Sequence, residues 1–203
     1  MAYMTSNSPK HITYEIISAS TKEMIHQLRS IDEIAILKVR ILDASSRDGP
    51  STSFINKDLS FSSPPVSPER VIEQARKEIK IHLENGNIYI LARDTQTNKG
   101  IGYGLFELGK EEKIMVARLE EAFVRQDWRK QGIFSQLVEI GEEAARQRGI
   151  NAIRVYVEKD SNSKRVLEKK GYYVVESFEG GAEVMIKVLN TVDSERTLSI
   201  SRV

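Results

Sequence analysis

A short basic segment ahead of a helix combines residues that favour anion binding. Arg129 and Lys130 are followed by Gly132, which lets the backbone approach a ligand closely. From Ile133 onward, apolar residues recur at helical spacing, so the first helical turn leaves amides near residues 131–134 without intrahelical partners. The helix dipole makes the same end electropositive. The segment therefore favours a phosphate or pyrophosphate site, with a plain basic turn before a core helix as the alternative.

The composition is that of one globular domain. The chain has 203 residues, no cysteine and a formal net charge of +1. Nothing in the overall charge points to nucleic acid or to an anionic membrane, so neither is expected as a partner. No apolar run reaches the ~18 residues of a transmembrane helix, and residues 1–10 lack the apolar region of a signal peptide. Without cysteine there is no disulfide, thiolate metal ligand or acyl-cysteine intermediate. No metal is expected, and a cytoplasmic location is the default.

Periodicity and turn residues predict a mixed α/β (α+β) chain built around one sheet. The first half is predicted to hold a strand, a helical pattern, a long Ser- and Pro-rich loop, and a helix that Ser67 caps and Pro68 opens. Three strands that form an antiparallel meander follow, then the helix from Ile133 and a strand–helix–strand–strand ending. The predicted strands are 11–18, 88–93, 101–108, 114–124, 152–158, 172–177 and 183–189, and the predicted helices are 21–42, 68–84, 133–148 and 161–170. The loop covers residues 43–67.

Two segments carry a resemblance to a known family. Arg129-Lys130-Gln131-Gly132-Ile133-Phe134 resembles the R/Q-x-x-G-x-G/A motif of the GNAT superfamily of N-acetyltransferases, with Phe134 where the family usually has Gly or Ala. Residues 160–172 resemble the second family motif, N-x-x-A-x-x-x-Y-x-x-x-G-F, with Leu167 at the tyrosine position. The element order β-α-α-β-β-β-α-β-α-β-β is that of the GNAT acyl-CoA N-acyltransferase fold. The resemblance implies a domain over residues 11–189 with splayed central strands. The polar composition of residues 1–10 predicts a flexible N-terminus, and residues 190–203 are expected to be a disordered tail or an edge strand.

The resemblance implies acetyl-CoA as co-substrate. Its pantetheine arm would enter between the splayed strands and pair with main-chain groups of Ala122, Phe123 and Val124, where an amide would polarise the thioester carbonyl. The pyrophosphate would lie on the amides and charges of the basic loop and the first helical turn. The residues expected to bind it are Arg129, Lys130, Gln131, Gly132, Ile133, Phe134 and Ser135. Asn162 would supply the amide side chain of the second motif.

Acetyl transfer to an amine requires a proton acceptor, because an alkylamine with a pKa of ~10.4 must become neutral before it attacks. Glu120 and Glu121 lie next to each other in the central strand and would point to opposite faces, so one of them would face the cleft. Strand bulges are common in the family, so alternation alone cannot choose between the two carboxylates. Glu121 is marginally preferred as the proton acceptor. For each of the two, a solvent-facing or ion-paired role is the alternative. Leu167 cannot protonate the leaving thiolate, which leaves Tyr156 and either Tyr172 or Tyr173 as candidate donors, with core or edge packing as their alternative.

The expected function is transfer of an acetyl group from acetyl-CoA to a primary amine by direct attack in a ternary complex. The alternative is a CoA-binding GNAT-fold module with little or no catalysis that acts through ligand sensing or protein contacts. Leu167, Phe134 and the Ser-rich loop favour this alternative. The sequence does not indicate whether the acceptor is a small amine, a peptide N-terminus or a protein lysine. Homodimers are frequent in the family, so the resemblance leaves a homodimer open.

Overall fold

The computed structural model describes residues 2–3, 11–18, 28–38, 67–111 and 114–189, which form one mixed sheet with helices on both faces. The strands are β1 (Ala2–Tyr3), β2 (Ile12–Ile17), β3 (Ile88–Asp94), β4 (Lys99–Glu111), β5 (Ile114–Val124), β6 (Ala152–Glu158), β7 (Tyr173–Ser177) and β8 (Ala182–Val188). The helices are α1 (28–38), α2 (Pro68–Glu84), α3 (Ile133–Gln147) and α4 (Asn162–Lys169), and a 3-10 helix (Gln126–Trp128) precedes α3. The strand order is β1-β2-β3-β4-β5-β6-β8-β7, and β5 and β6 are the parallel pair.

The mixed α/β class is confirmed, and the observed order adds two elements to the predicted one. One is the 3-10 helix before α3. The other is β1, in which Ala2 pairs with Glu15 and Tyr3 with Tyr14, so these two residues of the predicted flexible N-terminus form a strand instead. The physical reason is that the edge of β2 offers backbone groups that a second strand can satisfy. Most of the predicted 43–67 loop and the whole 190–203 tail lie outside the described residues.

Two apolar layers hold the sheet between its helices. One face packs against α3 and α4 through residues such as Ile90, Phe106 and Leu137. The other packs against α1 and α2 through residues such as Ile34 and Ile79. The predicted apolar stripe of α3 is buried, because its members recur at the spacing that keeps them on one side of a helix. Within the described part of the chain, no helix is long and apolar enough to cross a membrane.

Close contact between α3 and the sheet depends on Gly141, and this gives a first testable prediction. A Cβ atom at Gly141 would collide with the ring of Phe106 on β4. Gly141→Ala should therefore lower the free energy of unfolding by about 1–3 kcal/mol, as overpacked cores do, measured by urea denaturation. Gly109→Ala on β4 is the matched control, because a Cβ there meets nothing within 4 Å. Equal destabilisation of both variants would contradict the prediction.

Candidate active site

Strands β5 and β6 part at their carboxyl ends, as the resemblance implies. Their pairing runs from Val116 with Ala152 to Leu119 with Val155, and the described strands show no further pairing between them. Strand β5 stays paired with β4 as far as Val124. The last five residues of β5 therefore have β4 on one side and an open gap on the other.

The main chain of β5 presents polar groups along this gap. The amide of Arg125 donates to the carbonyl of Ile101 at 2.9 Å. This bond sets the phase of the antiparallel ladder, in which hydrogen-bonded and non-hydrogen-bonded positions alternate. Phe123 accordingly bonds to β4, whereas the amides and carbonyls of Ala122 and Val124 point towards β6. Of the three residues expected to meet an inserted ligand, Ala122 can offer its amide and its carbonyl. Val124 can offer its amide only, because its carbonyl accepts from the Nε atom of Arg129, and Phe123 can offer neither group.

A β-bulge decides where the two adjacent carboxylates point. Leu105 on β4 pairs with Glu121, but the next residue, Phe106, pairs with Leu119, so Glu120 is the extra residue of β5. The expectation that the two side chains point to opposite faces of the sheet is wrong, because the inserted residue breaks the two-residue alternation. Both carboxylates lie on the face that α1 and α2 cover, where their partners are also found.

Glu121 is held through both of its carboxylate oxygens. The Nζ atom of Lys38 on α1 lies 2.8 Å from one oxygen, and the hydroxyl of Tyr103 on β4 donates to the other at 2.9 Å. Burial and the nearby Glu121 carboxylate raise the pKa of Tyr103 well above its usual value, so its hydroxyl keeps its proton. Glu121 is therefore fixed between a helix and a neighbouring strand.

Glu120 has a different environment. The Nε atom of Arg118 lies 3.1 Å from its carboxylate. Burial raises the pKa of Glu120, the nearby negative charge of Glu107 raises it further, and Arg118 acts in the opposite direction. A carboxyl group with a raised pKa accepts a proton near neutral pH more readily than an ordinary glutamate does.

The loop between β5 and α3 presents a row of amides. Lys130 and Gly132 both have left-handed backbone conformations, with φ of 63° and 79°. The first helical hydrogen bond runs from the amide of Gln136 to the carbonyl of Gly132 at 3.1 Å, and no side chain caps the helix. Among the described residues, no protein acceptor is bonded to the amides of residues 130–135. Free amides at an electropositive helix end form an anion site.

The side chains around these amides leave the loop open to a ligand. Arg129, Lys130 and Gln131 are exposed, and the Nε atom of Arg129 donates to the carbonyl of Val124 at 3.1 Å, which ties the loop to the end of β5. Phe134 packs against the core beside α3, as does Trp128. Ile133 is buried in the core as well, so it can contribute only its main chain. Ser135, in the first turn of α3, is half-buried.

Of the tyrosines considered as proton donors, Tyr156 lies at the gap. Tyr156 directly follows Val155, the last β6 residue paired with β5, and it is 44% exposed with the Arg154 guanidinium 5.7 Å from its ring centroid. Tyr172 is only 3% exposed and lies in the core on the α3 side of the sheet. Its burial and the Glu142 carboxylate raise its pKa further above the usual value. Tyr172 therefore has no access to a ligand in the gap.

Helix α4 carries the second motif. Ser161 caps it by accepting the Lys164 amide at 3.2 Å, and Asn162 is exposed in the first turn. Leu167 is fully buried in the core. Asn162 is therefore accessible to a ligand, whereas Leu167 packs in the core.

Reasoning from the sequence missed Lys38, Tyr103 and Arg118. Arg118 could have been found, because residues two apart in a strand share a face and this one precedes Glu120 by two. Lys38 could not, since it is 83 residues from Glu121 and no local pattern joins them. Within the described residues, no cluster of three or more His, Asp or Glu side chains is arranged to hold a metal ion.

Comparison with known proteins identifies the family. A family model described as an acetyltransferase (GNAT) domain matches residues 63–182, more than half of the chain. The chain therefore belongs to the GNAT acetyltransferase family, as the two motifs indicate.

Solved structures share the fold at low sequence identity. The ribosomal-protein-S5-alanine acetyltransferase from Vibrio fischeri is 13% identical, with a TM-score of 0.61 over 94% of this chain and 98% of that one. A chain of the NatC complex bound to Gag peptide and CoA is 18% identical, with a TM-score of 0.58 over 89% and 99%. PaiA N-acetyltransferase from Thermoplasma acidophilum in complex with coenzyme A is 13% identical, with a TM-score of 0.54 over 86% and 98%. No curated protein matches the sequence.

Proposed function

We propose that this protein transfers an acetyl group from acetyl-CoA to a primary amine by direct attack in a ternary complex. The observation that carries the proposal is the gap between β5 and β6. In the part of the chain that the structure describes, it has main-chain groups without β6 partners along one wall, amides without protein acceptors at one end and carboxylates on the α1–α2 face. Two of the similar structures contain coenzyme A, which supports a CoA donor.

The gap and the loop would hold different parts of the donor. The pantetheine arm lies beside β5 as an added strand and hydrogen-bonds to the main chain of Ala122 and Val124. The Ala122 amide donates to the thioester oxygen, which becomes more negative as the amine attacks. The pyrophosphate binds the amides of residues 130–135, and the exposed side chains of Arg129 and Lys130 add charge.

Glu120 is the proton acceptor for the amine in this proposal. It follows Leu119, the last β5 residue paired with β6, so it stands where the strands part. Its raised pKa suits proton uptake, whereas Glu121 is already bonded to Lys38 and Tyr103. The departing CoA thiolate, with a pKa of ~8.5, needs little help at neutral pH. Tyr156, on the opposite wall of the gap, is the candidate to protonate it.

Release of free CoA thiol in the presence of different amines tests the proposal. The chain has no cysteine, so a thiol reagent reports only the product. A panel would include polyamines, peptides with a free N-terminus, and N-terminally blocked peptides with one lysine. We expect acetyl-CoA binding by calorimetry and thiol release with at least one of these amine classes. Binding without release across the panel would favour the non-catalytic CoA-binding module, and no binding at high micromolar acetyl-CoA would overturn the proposal.

A further inference from the structure

We propose that Lys38 is itself an acyl acceptor, and that bound acetyl-CoA acetylates its side chain within the same molecule. The inference rests on the proposed function, because the thioester must occupy the gap between β5 and β6. It adds a modification site on α1, a helix that neither motif includes.

The position of the Lys38 amine carries this inference. Its Nζ atom lies 2.8 Å from the Glu121 carboxylate, and its side chain is only 14% exposed, so the amine is held at β5 and kept from free movement in solvent. Glu121 lies in the part of β5 that does not pair with β6, and it directly precedes Ala122, whose amide faces the gap. The amine therefore lies on the α1–α2 face of the sheet, beside the strand segment that would bind the thioester.

The other buried lysine–carboxylate pairs do not share this position. Lys164 of α4 pairs with Glu183 of β8 at 2.6 Å, and Lys187 of β8 pairs with Glu142 of α3 at 2.6 Å. Both pairs lie on the α3–α4 side of the sheet, beyond β6. Among the described lysines, Lys38 is the one whose carboxylate partner belongs to the segment of β5 that does not pair with β6.

The chemistry balances with the groups present. The Lys38 ammonium passes one proton to Glu121, and the neutral amine attacks the thioester carbonyl, whose oxygen the Ala122 amide stabilises. The new C–N bond forms as the C–S bond breaks. Coenzyme A leaves as a thiolate and takes the second proton of the nitrogen, while Glu121 returns its proton to solvent. The products are acetyl-lysine and the free thiol of coenzyme A.

The test is to incubate the purified full chain with acetyl-CoA and no other acceptor, and to follow the intact mass and the tryptic peptides. Acetylation blocks cleavage after Lys38, so the product is a peptide from Ser30 to Arg40 that carries one acetyl group. Lys164 is the matched internal control, because its side chain is also ion-paired and 16% exposed but lies away from the gap. We expect Lys38 to be acetylated at least about tenfold faster than Lys164, because an amine held next to the thioester reacts faster than one that must meet it by diffusion. The modified fraction at a given time should not change when the protein is diluted.

Two variants test whether the acetylation is enzymatic and whether Lys38 is its site. Glu121→Gln removes the proton acceptor and should slow modification at Lys38 without changing it at Lys164. Lys38→Arg should abolish formation of the acetylated peptide. Equal rates at Lys38 and Lys164 would overturn the inference, as would a Lys38 rate that depends on protein concentration. If amines turn over while Lys38 stays unmodified, the proposed function stands and only this inference fails. If calorimetry shows no acetyl-CoA binding, both are overturned.

Discussion

Gly132→Trp is expected to weaken acetyl-CoA binding by at least about 100-fold, which corresponds to about 2.8 kcal/mol. Gly132 is the N-cap of α3, and the free amides of residues 130–135 surround it. An indole side chain there would occupy the space that the pyrophosphate needs and would exclude it from these amides. Hydrogen bonds to a charged group contribute about 1.5–3 kcal/mol each, so the loss of two is sufficient for the expected effect. Calorimetry with acetyl-CoA measures the binding, and thiol release measures the activity.

The backbone strain of this substitution needs its own control. Gly132 has a φ of 79°, where an L-residue costs about 1–2 kcal/mol. Gly149, just beyond the other end of α3, has a φ of 73°, and a Cβ at either position meets nothing within 4 Å. Gly149→Trp should therefore lower the free energy of unfolding, measured by urea denaturation, by a similar amount but leave acetyl-CoA binding unchanged. If both variants lose binding equally, the loop is not the pyrophosphate site.

Glu120→Gln is expected to lower kcat by about 100-fold or more, the usual contribution of a general base, while acetyl-CoA binding stays unchanged. The amide cannot take a proton from the amine, but it has nearly the same shape as the carboxylate. Glu121→Gln should lower kcat less, because Glu121 is bonded to Lys38 and Tyr103 and is not the acceptor of the substrate proton in this proposal. A larger loss for Glu121→Gln than for Glu120→Gln would assign the base to Glu121 and contradict the prediction.

The pH profile of kcat/KM tests the same role independently. Burial and Glu107 raise the pKa of Glu120, and a base must be ionised to act. Activity should therefore fall as the pH drops through this raised pKa, at a higher pH than for an ordinary glutamate. Glu107→Gln removes the repulsion that raises the pKa, so the acidic limb should move to lower pH while kcat at its plateau is retained. A limb that does not move in Glu107→Gln would show that Glu120 is not the titrating group.

Much of the fold could be predicted from local patterns in the sequence. The meander was predicted because alternating residues and turn residues mark strand ends, and β5 was predicted with the bounds that the structure gives it. Helix α3 was predicted because its apolar stripe and the flanking Gly132 and Gly149 are local signals. The basic loop was also predicted correctly as a place where amides lack partners, since the first turn of any helix has this property.

The acceptor side of the gap could not be predicted in the same way. The bulge at Glu120 depends on how β4 and β5 pair. It places Glu120 and Glu121 on the same face of the sheet, whereas simple alternation would place them on opposite faces. Tyr156 lies in β6 and Tyr172 ends the second motif, and only burial in the assembled core separates the exposed side chain from the inaccessible one. The contact between Lys38 and Glu121 forms when α1 packs on the sheet.

The sequence by itself determined the family, the order of elements and the loop suited to a pyrophosphate, because each of these is encoded in spacing, caps and glycines along a continuous stretch of chain. Only the tertiary structure decided which β5 groups face the gap, that both Glu120 and Glu121 lie on the α1–α2 face, and which partner each carboxylate has. The physical reason is that strand pairing and helix packing join residues far apart in sequence, and their register follows from the whole core rather than from any one segment.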